Sequence, residues 1–282
     1  MSQWETLFFW VTVGCYVTAT FFYLYWFITG RTTGEKIEKV IIWAGFLSNL
    51  EVIVARTLTS GHLPVRTLYE LNIVVAWLAV GVFLWARRTY TKTVLVGLVS
   101  VTFAFLVAGW GYADNPQIAP LTPAYKSNWL VVHVLFALLS TACYIFATGT
   151  SFFYLLKSRY PEGEGPKRYK LVPGLKILDD LSVKLILLGF VAGTIMLISG
   201  SIWAKLLWGS YWSWDPVETW SLISWLVYGI YLHLRFTFGW RGRKLAWLCM
   251  ACLITNVISS WAVGVFTPET YHSYEGISRP LE

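Results

Sequence analysis

Between Trp208 and Glu218 the chain reads Trp-Gly-Ser-Tyr-Trp-Ser-Trp-Asp-Pro-Val-Glu, which puts three tryptophans and a tyrosine within seven residues. That is more aromatic surface than a membrane-interface belt uses, and it asks for a large, flat, apolar partner. If Trp208 to Asp215 forms a helical turn and more, then Trp208, Tyr211, Trp212 and Asp215 fall at i, i+3, i+4 and i+7 on one face, a platform with Gly209 and Trp214 beside it. Asp215-Pro216-Val217-Glu218 reads as a helix start, with Asp215 at the N-cap, Pro216 at the first helical position and Glu218 closing a capping box. The plainer reading of these tryptophans is interfacial anchoring, and of the two acids, capping. Capping leaves room for a second role.

The four histidines are the chain's natural metal ligands. Imidazole is a common ligand of haem iron, and haem is a flat apolar disc of the kind a multi-tryptophan platform covers. His133 lies before the aromatic stretch and His272 after it, six residues past Phe266, so an extended tether swings it through up to about 20 Å. These two are placed to clamp an iron from both axial sides. His233 is eighteen residues beyond Asp215, about 27 Å along a helix, and belongs to a different site. His62, in Ser-Gly-His-Leu-Pro, is expected to serve a structural turn. A lone histidine in a membrane helix more often hydrogen-bonds a neighbour than binds a metal.

The elements that must hold these residues follow from composition. The chain is 56% hydrophobic and 13% charged over 282 residues, against roughly 25% charge in a soluble domain. The expectation is an all-α, polytopic membrane protein with about eight transmembrane helices, near 7–28, 40–59, 68–85, 93–110, 129–156, 181–204, 218–235 and 245–266. Helices are required because backbone polar groups cannot go unpaired in lipid. The first segment has no basic flank and is read as a span, not a cleaved signal. Loops 29–39, 86–92, 157–180 and 236–244 hold fifteen Lys and Arg, the opposite loops four (Arg66, Lys126, Lys205 and Arg279). The basic set faces the cytoplasm, which puts both termini and the Trp-rich loop outside. The net charge of +7 is thereby a matter of topology, and no nucleic-acid partner is implied.

Residues 157–180, rich in Gly, Pro and charge, read as a flexible cytoplasmic connector between a five-helix part (1–156) and a three-helix part (181–282) that carries the loop 204–217. Glu51, Arg56 and Glu70 fall in or beside apolar segments, where pairing inside the bundle is expected. Cys15, Cys143, Cys249 and Cys252 all lie in apolar segments and read as small core side chains, although Cys249 and Cys252 form a Cys-x-x-Cys.

The run Trp208-Gly209-x-Tyr211-Trp212-x-Trp214-Asp215-Pro216-x-Glu218-Thr219-Trp220 resembles the "WWD" signature of haem-handling proteins, and specifically the CcsA/ResC family of the system II cytochrome c synthase. The Asp-Pro-x-Glu-Thr-Trp continuation separates it from the system I haem handlers. The resemblance covers nearly the whole chain, and it implies a haem-binding role for Trp208, Gly209, Tyr211, Trp212, Trp214, Asp215, Glu218 and Trp220. It also implies that His133 and His272 ligate haem iron at an external site. It further implies that His233 helps ligate haem within the membrane, with the second ligand coming from a CcsB/ResB-type partner. Arg66-Thr67 stands where the resemblance puts Ser-Asn, after a Gly-His-x-Pro stretch that includes His62.

The implied activity is haem transport with covalent attachment of haem b to a Cys-x-x-Cys-His apocytochrome c on the extracytoplasmic face of a plasma or thylakoid-type membrane. It is a haem lyase reaction carried out with the CcsB/ResB-type subunit and thiol-reducing proteins. His133 and His272 are the residues expected to take part in it. Two other readings are a haem-b electron-transfer protein, which stacks its histidines along helices, and a transporter of another apolar ligand with the Trp-rich loop as its gate.

Overall fold

The computed structural model describes residues 1–90, 92–118, 125–161 and 164–263. Within them the chain is helical: α1 (Gln3–Thr29), α2 (Glu35–Ser60), α3 (Leu68–Thr89), α4 (Gly97–Asp114), α5 (Asn128–Lys157), α6 (Leu175–Trp208), α7 (Pro216–Phe236) and α8 (Arg243–Val257). A π-helical turn, Ile258–Ala262, extends α8. Over the described residues, each apolar segment expected from sequence falls on one of these helices; 264–266, the end of the last, lie outside them. Six of them, α1, α3, α4, α5, α6 and α8, are long and apolar enough to cross a membrane by length and composition. The other two carry charge along their length, Glu51 and Arg56 on α2, Glu218 and Arg235 on α7. The chain is an all-α, polytopic membrane protein.

Local sequence sets the helix ends. Capping boxes open α1 (Ser2 with Glu5) and α3 (Thr67 with Glu70), satisfying N–H groups that would otherwise be orphaned. The bundle then assembles by pairs: α1 on α2 and α4, α3 on α4 and α5, α5 on α6 and α8, α7 on α6 and α8. α5 and α6 are antiparallel. The Ser140 hydroxyl donates to the Gly189 carbonyl at 2.8 Å, and Gly189 leaves room for the Tyr144 ring. Tyr144 in turn stacks on Tyr228 of α7, ring centroids 3.4 Å apart.

Ion pairs close both ends. At the end that carries the Trp-rich loop, the fully buried Arg56 meets Glu70 at 3.0 Å and Glu5 at 3.5 Å. It also donates to the Pro116 and Gln117 carbonyls, each at 2.8 Å, tying three helices to the residues after α4. Arg56 and Glu70 are paired, as expected. Glu51 is not: it is exposed, because five residues before Arg56 it points about 140° away round the helix. At the opposite end Arg87 grips Glu38 with two bonds of 2.6 and 2.7 Å, and Arg235 bridges Asp179 (2.7 Å) and Asp180 (3.3 Å).

The stretch after Lys157, expected to be a flexible connector, is tied down over its described residues. The Lys157 ammonium donates to the carbonyls of Tyr169, Val172 and Pro173 at 2.9–3.1 Å, and the Arg168 guanidinium lies over Phe27 of α1. Backbone carbonyls gathered on one buried-stem lysine hold the segment where glycine and proline alone would leave it loose. All four cysteines are free thiols, with Cys143, Cys249 and Cys252 buried in the core.

Candidate functional site

α6 runs through Trp208 and stops at Gly209, whose φ of 80° is the left-handed position that ends a helix without a Cβ penalty. Lys205 donates to the freed Gly209 carbonyl at 2.7 Å. The next helix begins at Pro216, which has no N–H to continue an earlier one. The residues between are therefore not a helical turn, and Trp208, Tyr211, Trp212 and Asp215 do not share a helical face as expected. They form an irregular loop instead, in which Ser210 donates to the Trp212 carbonyl at 2.8 Å. Trp214 adopts φ 60°, a conformation uncommon for any residue with a β-carbon.

Both acids brace this loop. Asp215 is the N-cap of α7, accepting from the Val217 N–H at 2.9 Å, with Pro216 at the first helical position. Glu218 sits at the capping-box position but does not close the box. Its carboxylate turns back to accept from the Ser213 N–H (2.8 Å) and hydroxyl (3.1 Å). A capping box needs Glu218 to reach the Asp215 N–H, and the loop offers it two donors on Ser213 instead.

His133, five residues into α5, faces a narrow cleft of about 40 Å³ whose walls include Met196, Gly200, Tyr211, Trp212, Glu218 and Ser221. Its Nδ1 lies 2.8 Å from the Met196 carbonyl. A carbonyl can only accept, so Nδ1 carries the proton and the lone pair of the neutral ring is on Nε2, the arrangement a metal-ligating histidine takes. The ring stacks near Trp203, centroids 6.5 Å apart and planes 25° apart, and Trp203 meets Trp208 edge-on at 5.5 Å. Gly200 makes this placement feasible, since a β-carbon there would run into the imidazole. The indole N–H of Trp212 is buried and has no hydrogen-bond partner among the described residues. Tyr211 and Trp214 are 59% and 69% exposed. The site thus gathers an imidazole with a fixed tautomer, flat apolar walls and an unmet donor.

The structure brings His133 together with Tyr211, Trp212 and Glu218. Trp208 stands behind, against Trp203; Trp214 stacks edge-on with Trp212 at 5.8 Å; and Trp220 is half-buried on α7, away from the cleft walls. His233 lies at the other end of α7, exposed, its Nδ1 3.2 Å from the Thr237 hydroxyl and its ring against the edge of Phe238. His62 sits in the turn after α2 with Nδ1 2.8 Å from the Leu63 carbonyl, a local structural bond. His272, the expected second axial ligand, lies outside the described residues, among which no three His, Cys, Asp or Glu side chains gather to hold a metal ion. Sequence reasoning missed Met196, Gly200 and Trp203. Trp203 alone had a signal, five residues before Trp208 on the same apolar segment.

The family described as cytochrome C assembly protein matches residues 65–268, from the start of α3 past the end of α8. The cytochrome c biogenesis protein CcsA of Chlamydomonas reinhardtii is 37% identical over 216 residues, 74% of this chain and 60% of the algal protein, so the chain spans three-fifths of that relative. CcsA of Synechococcus sp. (strain RCC307) is 34% identical over 272 residues, 86% of each chain. Among solved structures, the cytochrome c heme lyase CcmF superposes on 90% of this chain with a TM-score of 0.72. At 17% identity and over 46% of CcmF's length, that likeness is one of fold. With a family match across most of its length and a relative 34% identical over 86% of both chains, the chain belongs to the cytochrome c assembly protein family, in its CcsA branch.

Proposed function

We propose that this chain carries haem b to the membrane face that bears the Trp-rich loop and presents it there for covalent attachment to a Cys-x-x-Cys-His segment of an apocytochrome c. The observation that carries the reading is His133, its Nδ1–H held by the Met196 carbonyl in a cleft walled by Tyr211 and Trp212. The names of the relatives, cytochrome c biogenesis proteins and a heme lyase, support the same reading.

In this proposal His133 is one axial ligand of the substrate haem, and His272, from the tail after α8, is the other. The aromatic loop covers the ring and excludes water, while Asp215 and Glu218 hold the loop in shape. Each reduced cysteine thiol of the apocytochrome adds its S–H across one vinyl group, giving two thioethers with no leaving group. The peptide histidine then takes the place of one holding histidine, and His272 on its tail is our choice for the ligand that leaves. His233, at the far end of α7, serves a second haem position inside the membrane whose other ligand comes from a CcsB/ResB-type subunit. Basic residues concentrated at that far end support a position for the Trp-rich loop on the extracytoplasmic side. Thiol-reducing proteins keep the apocytochrome cysteines reduced.

The test is the absorption spectrum and pyridine haemochrome of the detergent-purified chain, as wild type and as His133→Ala, His272→Ala and His233→Ala. Six-coordinate, low-spin b-type haem that the first two substitutions weaken is the expected result. No haem in the wild type, even with the partner subunit co-expressed, overturns the proposal and leaves the transporter of another apolar ligand.

A further inference from the structure

A haem is an apolar disc with two carboxylates, and the cleft beside His133 answers only the disc. Its one charged wall is Glu218, an acid already engaged by Ser213. Carboxylates brought against apolar walls need a cation or they stay in water. Four described cations lie at this end of the bundle. Arg56 is consumed by Glu5, Glu70 and two carbonyls. Lys205 donates to Gly209 and lies over Tyr211, and Lys126 is exposed to solvent.

Arg66 differs from these three. Its guanidinium lies over the face of Tyr125, 5.6 Å from the ring centroid, and its Nη1 is buried with no hydrogen-bond partner among the described residues. Glu70 holds Arg66 by the backbone N–H, at 2.9 Å, and not by the side chain. Tyr125 packs with Leu130 and Trp203 in a small buried cluster flanked by Trp208, and Trp203 is the ring on which His133 stacks. Burial pushes the Tyr125 phenol up while Arg66 beside it pulls it back, so the charge acts on this cluster. Arg66 therefore stands two aromatic rings from His133, at the end of a row Tyr125–Trp203–His133, with a guanidinium fork that matches a carboxylate.

We propose that Arg66 is the anchor for a propionate of the haem held at His133, which fixes the rotation of the ring about its axial bond. Because the vinyl groups are on the opposite edge of the macrocycle from the propionates, anchoring one edge leaves the reacting edge open. The inference rests on the haem-presenting function proposed above.

The test is an absorbance titration of the detergent-purified full chain with haem and, separately, with its dimethyl ester, which lacks both carboxylates. Wild type is expected to prefer haem to the diester by about tenfold, the worth of a charge-assisted pair. Arg66→Gln is expected to bind the two alike, at the wild-type affinity for the diester, and Arg66→Lys to restore part of the preference. The Arg66 assignment is overturned, with the haem site intact, if wild type binds both ligands equally, if Arg66→Gln keeps the preference, or if it weakens both ligands to the same extent. If wild type binds neither, or His133→Ala titrates as wild type does, the haem site itself is wrong and Arg66 falls with it.

Discussion

His133 and His233 stand at opposite ends of the bundle, His233 about 27 Å along α7 from Asp215 at the loop end, and in opposite circumstances. His133 is held by another helix: its proton is directed by the Met196 carbonyl of α6, its ring lies against Gly200, and Trp203 covers one face. His233 is exposed, and its nearest polar partner is Thr237 on the following turn, a hydroxyl that serves as donor or acceptor and so sets no tautomer. The chain has prepared one imidazole and left the other unprepared. A ligand whose geometry is set in advance binds without losing ordering entropy at that moment, whereas in our proposal His233 is half of a site that a second chain completes.

The largest effect should come from the prepared residue. His133→Gly is expected to weaken haem binding about a hundredfold, roughly 2.7 kcal/mol, and to recover most of it when free imidazole fills the space, read by the low-spin absorption bands. His233→Gly should leave those bands unchanged in the chain purified alone. Equal losses from the two substitutions would erase the distinction between the ends.

Gly200→Ala comes next, since it attacks the preparation and not the ligand. The new β-carbon meets the His133 ring, and relieving the overlap by about 1–3 kcal/mol of repacking pulls the ring from the Met196 carbonyl. Haem affinity should fall about tenfold, with a drop of only a few degrees in melting temperature. Unchanged affinity would mean that the seat on α6 does not matter.

Gly200 also marks where sequence stops being legible. The eight helical segments and the pairing of Arg56 with Glu70 follow from apolar length and the cost of lone charges in lipid. The position of the aromatic loop before α7 follows from Asp215 and Pro216. What a single sequence does not carry is which face of α6 meets α5. Gly200 and Met196 look like ordinary members of an apolar run until that contact places them under His133. The loop is illegible for a related reason: the i, i+3, i+4 spacing of its rings fits a helix, and only the left-handed conformation at Gly209, together with Pro216, rules it out. Glu51, a charge inside an apolar span, is expected to pair for the same reason as Arg56 and Glu70, but helical rotation turns it outward.

A smaller effect is expected where the loop is braced. Glu218→Gln keeps an acceptor for Ser213 but removes the charge that strengthens both bonds, about 1 kcal/mol. The Ser213 amide should exchange with solvent about fivefold faster, as hydrogen-exchange mass spectrometry would detect, and haem affinity should drop by a similar factor. No change in exchange would mean that Glu218 is not what holds the loop.

The smallest effect is on stability, at Trp214. Its backbone sits at φ 60°, kept there in part by Thr219, whose hydroxyl donates to the Trp214 carbonyl at 3.2 Å. For a residue with a β-carbon this conformation costs roughly 1–2 kcal/mol. With 69% of the side chain exposed, burial returns little of it, and the edge contact with Trp212 returns about 0.5–1.5 kcal/mol. The strain is of the kind that collects at binding sites. Comparing Trp214→Ala with Trp214→Gly separates strain from ring: both lose the indole, but only glycine accepts the left-handed backbone without penalty. Trp214→Gly should therefore be more stable than Trp214→Ala by about 1 kcal/mol, while the two bind haem equally and more weakly than wild type. Equal stabilities would remove the strain from the account. Wild-type haem affinity in both would remove the Trp214 ring from the site, leaving Trp212 and Tyr211 as the aromatic cover that distinguishes the His133 end from the end at His233.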